Sequence, residues 1–252
     1  MSRLGAICEA LILLGLGAYL TWLSLSQDYW VLMNPKFSWL TLTTGVILAA
    51  LGAASLIMRQ LCPTPLRLAS FLALAALVVT FDADAITPGS PGLRIQRQPA
   101  QASPRLNHDG VSYIKINTLE LFALIKANDP QKLEEPYVVR GVVRRSPELD
   151  RRGEIALLRP QIYCCAADAV ALGFRVKTPL YQDLKDNQWV RVLGRIKKLP
   201  KPEKELYAPK LQGVFFSLFH EEAILIADAV EPVSVPKMPY IFFAKGEEPY
   251  AY

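Results

Sequence analysis

Histidine is scarce in this chain, with two residues, His108 and His220, in 252. Neither stands at zinc-site spacing, so no metalloprotease or finger-type motif can be built. Both fall in turn-like stretches where exposure to solvent is expected. Cysteine is also sparse. Cys8, Cys62, Cys164 and Cys165 are too few and too unevenly placed for the disulfide framework of a secreted mini-protein. No Ser/His/Asp set and no phosphate-cradling glycine loop is present, and the carboxylates scatter without a visible pair. A non-catalytic protein is expected.

A large charge of one sign is missing where it would matter. The whole chain carries +5, but residues 101–252 hold 22 Lys+Arg against 19 Asp+Glu, an excess of three. A nucleic-acid binder shows a marked basic excess on one face. Arg140, Arg144, Arg145, Arg151 and Arg152 do cluster, but Glu148, Asp150 and Glu154 interleave with them. A solvated face is the expectation there.

What the chain has in abundance is apolar sequence, nearly all of it before Phe81. The run 4–25 is interrupted only by Glu9 and is long enough to cross a bilayer as a helix. Glu9 lies about one turn inside the end, where a carboxylate can reach the headgroups. A signal peptide is the competing reading, but further apolar runs follow and no small-residue cleavage site closes this one. The run 39–58 is free of charge, with Trp39, Trp30 and Tyr29 as interfacial aromatics and Gly45, Gly52, Ala53 and Ala54 as packing positions. The run 66–81 would be about 24 Å long as a helix and could span or re-enter. Two or three spans are therefore expected, with three favoured. Arg3, Arg59 and Arg67 against a first loop carrying only Lys36 place the N-terminus in the cytoplasm. Three spans then put the C-terminal domain outside, and two spans leave it inside.

These features divide the chain into a membrane region (1–86), a Pro/Gly-rich linker (87–104) and a soluble β-rich domain (105–252). In the domain, VSYIKIN reads as a strand, and Asn117 with Glu120 forms a capping box for a helix over Thr118–Ala127. Period-two patterns then predict strands over 137–144, 155–163, 172–177 and 189–196, with two more in LQGVFFSLF and AILIADAVEPV. A short helix is expected over 179–186. Gly141 and Gly194 inside strand patterns mark coiling or a bulge. The fold class expected is a membrane-anchored α+β protein whose C-terminal domain is a small OB-like β-barrel preceded by a short helix; an open sandwich is the alternative.

The most unusual segment is Tyr163-Cys164-Cys165-Ala166-Ala167-Asp168-Ala169. In a turn, both thiols and the carboxylate can face one site; in a strand, the cysteines point to opposite faces. Three readings compete. In the first, the thiols pack as small apolar groups while Asp168 caps a turn. In the second, Cys164, Cys165 and Asp168 hold a soft metal or metalloid ion. In the third, a strained vicinal disulfide carries redox chemistry.

The string CCAADA over Cys164–Ala169, followed by Gly173, by Trp189-Val190-Arg191-Val192-Leu193-Gly194, by Glu231-Pro232 and by Pro239-Tyr240, resembles an uncharacterised bacterial family described as permease subunits. The resemblance covers most of the chain. It implies membrane segments, a polar linker, a CCAADA-bearing domain and a neighbouring multi-span permease in the inner (plasma) membrane. It implies no reaction and no cargo. The expected function is an accessory, non-catalytic subunit of a membrane permease complex, with the lipid bilayer and a multi-span permease as partners. The first alternative is a membrane-tethered binder of a thiol-seeking metal or metalloid ion. The second is an OB-type nucleic-acid module.

Overall fold

A computed structural model describes residues 3–26, 28–58, 105–203, 208–211, 213–236, 239–242 and 252. The proposed third span over 66–81, Cys62 and the linker 87–104 lie outside the described residues. The chain divides into two compact units, Met1–Ala83 and Asp84–Tyr252.

In the first unit, α1 (Arg3–Leu25) and α3 (Ser38–Met58) form a hairpin closed by the short α2 (Tyr29–Leu32) and a 3₁₀ turn (Pro35–Phe37). Two stretches, Ile7–Leu25 and Pro35–Ile57, are long and apolar enough to cross a membrane. Asn34 caps the 3₁₀ turn by accepting from the Lys36 N–H at 3.1 Å, and Tyr29 Oη meets Thr41 Oγ1 at 2.8 Å. The helices approach through glycine. A Cβ on Gly17 would sit 2.5 Å from the Ala49 amide nitrogen, and one on Gly45 would sit 2.8 Å from that of Thr21. Such contacts let two helix backbones come close together. Gly17→Leu is therefore expected to cost about 1–3 kcal/mol by overpacking, seen as a lower melting temperature of the full chain in mild detergent. Glu9 departs from the sequence expectation. Its carboxylate does not reach outward but is buried.

The second unit is a seven-stranded mixed sheet. Its strands are β1 (Arg105–His108), β2 (Val111–Lys115), β3 (Tyr137–Arg144), β4 (Glu154–Gln161), β5 (Val170–Lys177), β6 (Trp189–Lys198) and β7 (Phe216–Pro232). They are ordered β1-β2-β3-β4-β5-β7-β6, and β6 also pairs with β3. The β2–β3 and β5–β7 pairs are parallel and the others antiparallel. The register of β6 on β7 shifts at Leu193/Gly194, where the sequence anticipated a bulge.

Helix α4 (Thr118–Ala127) begins at the anticipated capping box. The Asn117 side chain accepts from the Glu120 N–H at 2.9 Å, and the Glu120 carboxylate accepts from the Asn117 N–H at 3.2 Å. Leu121 and Ile125, one turn apart, enter the core with Val139, Leu157, Phe174, Val176, Val192 and Leu225.

Several expectations are corrected. Residues 179–186 form turns, because Asp186 is drawn into bonds with the Arg145 N–H and the Arg144 guanidinium. The last two expected strands are one strand, β7, whose exposed Glu221 and Glu222 disguise its continuity. Strand β1 and two short helices, α5 (Pro130–Glu134) and α6 (Pro147–Arg152), were not anticipated. Each short helix has proline in its first turn behind an Asp or Ser cap.

His220 is not solvent-exposed as expected but half-buried. Its ring stacks on Phe174 at 5.6 Å and meets Phe122 edge-on at 4.8 Å. Its Nδ1 accepts the Glu222 N–H at 3.2 Å. Burial holds the imidazole below its ordinary range, outweighing the opposite pull of Glu222 and Glu221. A depressed histidine means that the unfolded chain takes up the proton first as pH falls. Stability is therefore expected to decline from about pH 6.5 downward. His220→Phe should flatten that decline in denaturation curves taken on either side of this pH.

Candidate metal centre

The turn that joins β4 to β5 is held at both ends. At its start, the Ile162 N–H donates to the Ile241 carbonyl at 3.0 Å. At its close, the Ala169 carbonyl accepts from the Phe215 N–H at 2.6 Å. Ile162, Ala169 and Ile241 are fully buried. Between these clamps Cys165 is extended and a single 3₁₀ turn, Ala166–Asp168, follows, closed by the Asp168 N–H donating to the Cys165 carbonyl at 3.0 Å.

Asp168 then reaches back over its own turn. One carboxylate oxygen accepts the Tyr163 N–H at 3.0 Å and the other accepts the Cys164 N–H at 2.8 Å. This carboxylate fixes the conformation that brings both thiols to one side. Cys164 Sγ and Cys165 Sγ lie 3.6 Å apart, and the ligand atoms of Cys164, Cys165 and Asp168 all fall within 4.8 Å of one another. Of the two geometries open to the sequence, the turn is the one adopted. All three candidate residues meet, each partly buried. Neither histidine joins them, and Cys8 lies in α1.

The electrostatics of the turn are those of a protonated thiol beside an ionised carboxylate. The Asp168 carboxylate, then the Cys165 thiol and burial, push the Cys164 thiol up to about 12. Burial raises Asp168, but hydrogen bonds from the Cys164 thiol and from the backbone of Tyr163, Cys164 and Cys165 outweigh it and leave the carboxyl below its ordinary range. Reactive redox cysteines have depressed thiols; Cys164 is the reverse, and an ion bound there must displace its proton. The sulfur spacing fits a shared cation. Two thiolates each about 2.3 Å from a tetrahedral ion lie about 3.8 Å apart.

The sign for Asp168 follows from its lowered carboxyl. Its stabilisation is present above the ordinary carboxylate range and is lost as pH falls through the folded value. Asp168→Ala removes two charge-assisted acceptors and is expected to cost about 1.5–3 kcal/mol. Thermal melts of the variant and the parent at neutral pH read this directly.

A second group of polar residues lies elsewhere on the sheet. His108, Asp109, Tyr113, Arg195 and Asp228 line a shallow pocket of about 290 Å³. Arg195 pairs with Asp228 at 3.0 Å, Tyr113 Oη donates to Asp228 at 3.1 Å, and His108 lies 3.3 Å from both Asp109 and Glu231. His108 is thus half-buried and paired, not the exposed histidine expected. The basic cluster is likewise engaged. Arg144 pairs with Asp186, Arg145 with Asp150, and Arg152 with Glu148 and Glu203.

Sequence reasoning found the three candidate ligands but missed Phe215 and Ile241, which clamp the turn through backbone atoms. Backbone pairing at a distance of dozens of residues leaves no side-chain signal.

The fold and site define a mixed β-domain with a vicinal-thiol turn, in a chain that also carries two apolar helices. The chain belongs to the family of the DUF1980 C-terminal domain, whose model matches residues 100–243, more than half of its length. No curated protein matches it. Among solved structures, a replication protein A heterotrimer bound to ssDNA is similar at 14% identity and a TM-score of 0.19, covering 39% of this chain and 57% of that one. An aspartyl tRNA synthetase from Entamoeba histolytica is similar at 17% identity and a TM-score of 0.21, covering 55% of this chain and 24% of that one. The chain thus spans less than two thirds of either structure, and at these TM-scores neither likeness defines its fold or its function.

Proposed function

We propose that the soluble unit holds a thiophilic cation through Cys164, Cys165 and Asp168, in a membrane-anchored and non-catalytic protein. The observation that carries this reading is the convergence of two sulfurs and a carboxylate within 4.8 Å on one clamped turn. Two thiolates with one carboxylate suit a borderline ion such as Zn²⁺ and leave a position open for water or a partner's ligand. Binding would displace the thiol protons, and the positive ion would relieve the repulsion that keeps Cys164 protonated. The test is equilibrium dialysis of the purified full chain with Zn²⁺, in detergent and with thiols reduced. One ion per chain is expected. Asp168→Ala should weaken binding about tenfold or more, and an unchanged stoichiometry and affinity in that variant would remove Asp168 from the site.

The second reading, an accessory subunit of a permease complex, is favoured by the two apolar helices joined to a separately packed domain. The two readings are compatible, with the domain capturing the ion that the permease moves. Recovery of a multi-span membrane protein at near-equal stoichiometry in mild-detergent purification would support it. Repeated recovery of the chain alone would remove it. The pairing of β3 with β6 supports reading β3, β4, β5, β7 and β6 as a closed OB-like barrel. Placement of the domain outside the inner membrane of a bacterial cell depends on the run 66–81 serving as a third span.

A further inference from the structure

Four large apolar side chains of the soluble unit face water near the thiol turn. Tyr163 is 71% exposed, Phe215 75%, Phe216 43% and Leu218 46%. Phe215 and Phe216 meet edge to face at 5.7 Å. Phe216 and Leu218 lie on one face of β7, two residues apart, beside Val170 and Leu172 of β5. Val170 pairs in turn with Gln161, the last residue of β4, so Tyr163 emerges at the same end of the sheet. The Phe215 amide is the one that clamps Ala169, which makes the patch continuous with the turn.

Scattered exposed leucines need no explanation, but a contiguous aromatic patch does. We infer that this patch is a monotopic docking surface for the lipid bilayer, seated at headgroup depth. The side chains are those of an interfacial anchor: tyrosine and phenylalanine with leucine as the apolar wedge. The chain supplies the bilayer itself. Its two apolar helices are joined to the domain through residues 59–104, so the membrane is present at high effective concentration and a small patch suffices. Seating the patch brings Cys164 and Cys165 close to the membrane surface, where an ion could pass to or from an embedded partner. The inference rests on the membrane-anchor reading and is independent of the cation site.

The test uses the full chain with its four cysteines replaced by serine, a nitroxide at Leu218→Cys, and nanodiscs of phosphatidylethanolamine and phosphatidylglycerol. Collision rates with oxygen, which concentrates among acyl chains, are compared with those of a water-soluble nickel chelate. A control nitroxide is placed at Glu148→Cys on α6. The oxygen-to-nickel ratio is expected to be several-fold higher at 218 than at 148, and to fall to the control value in Phe215→Ser/Phe216→Ser. Equal ratios at 218 and 148 would overturn the inference. Exclusion of both reagents at 218 would also overturn it, showing the patch covered by protein, either a partner or residues 243–251. A chain that fails to enter the discs would remove the membrane anchor itself, a different failure from a domain that stays in water.

Discussion

Cys164→Ser/Cys165→Ser is expected to abolish high-affinity cation binding while leaving the C-terminal unit folded. A hydroxyl is a hard, neutral donor at neutral pH, and a thiolate is what a borderline or soft ion selects. Loss of both sulfurs leaves one carboxylate, already committed to the Tyr163 and Cys164 amides. Affinity should fall by at least about a hundredfold, equivalent to about 2.7 kcal/mol. The single variants separate the two sulfurs. Each should bind weakly, since the ion then keeps one sulfur and the carboxylate. The fold should survive because neither Sγ fills the core, and the turn is held by Asp168, Ile241 and Phe215. Zinc titration of the double variant, with its melting curve beside it, reads both halves of the expectation.

The second large effect is expected far from the thiols. Arg175 on β5 is 2% exposed, and its guanidinium lies 3.3 Å from Glu154 on β4 and 3.0 Å from Glu203. Glu203 also receives Arg152 at 2.7 Å, so one network ties α6, β4, β5 and the segment after β6 together. Removing a buried charge leaves its partner desolvated and unpaired, and the cost exceeds what the pair gains. Arg175→Met is expected to destabilise the C-terminal unit by about 3–5 kcal/mol, because Glu154 is itself buried. Adding Glu154→Leu removes the stranded carboxylate and should restore much of the loss. Chemical denaturation followed by Trp189 fluorescence, with Trp22, Trp30 and Trp39 replaced by phenylalanine, distinguishes the two outcomes. If the double variant is as unstable as the single one, packing and not charge governs the site.

The helix hairpin and the thiol cluster were legible because their signals are local. A charge-free run long enough to cross the hydrocarbon core of a bilayer, a capping box at Asn117 and Glu120, and three potential ligands within five positions need no tertiary information. The strands over β3 and β6 were legible because each alternates or runs with β-branched residues between turn signals. In sequence, strand β7 looks like two strands because His220, Glu221 and Glu222 look like a turn; long-range pairing with β5 and β6 overrides that local pattern. The turns after Pro179 look helical in sequence because the pull of Arg144 and Arg145 on Asp186 comes from some forty residues away. Burial of His220 depends on Phe122 and Phe174 arriving from two other elements, and no sequence window contains all three.

The central claim is that Cys164, Cys165 and Asp168 share one ion, and X-ray absorption at the zinc edge of the full chain loaded with one equivalent of Zn²⁺ tests it most directly. The expected spectrum has two sulfur neighbours at about 2.3 Å with oxygen or nitrogen completing a four-coordinate shell, and the sulfur shell disappears in Cys164→Ser/Cys165→Ser. A shell of oxygen and nitrogen alone, identical in the parent and the double variant, would contradict the claim.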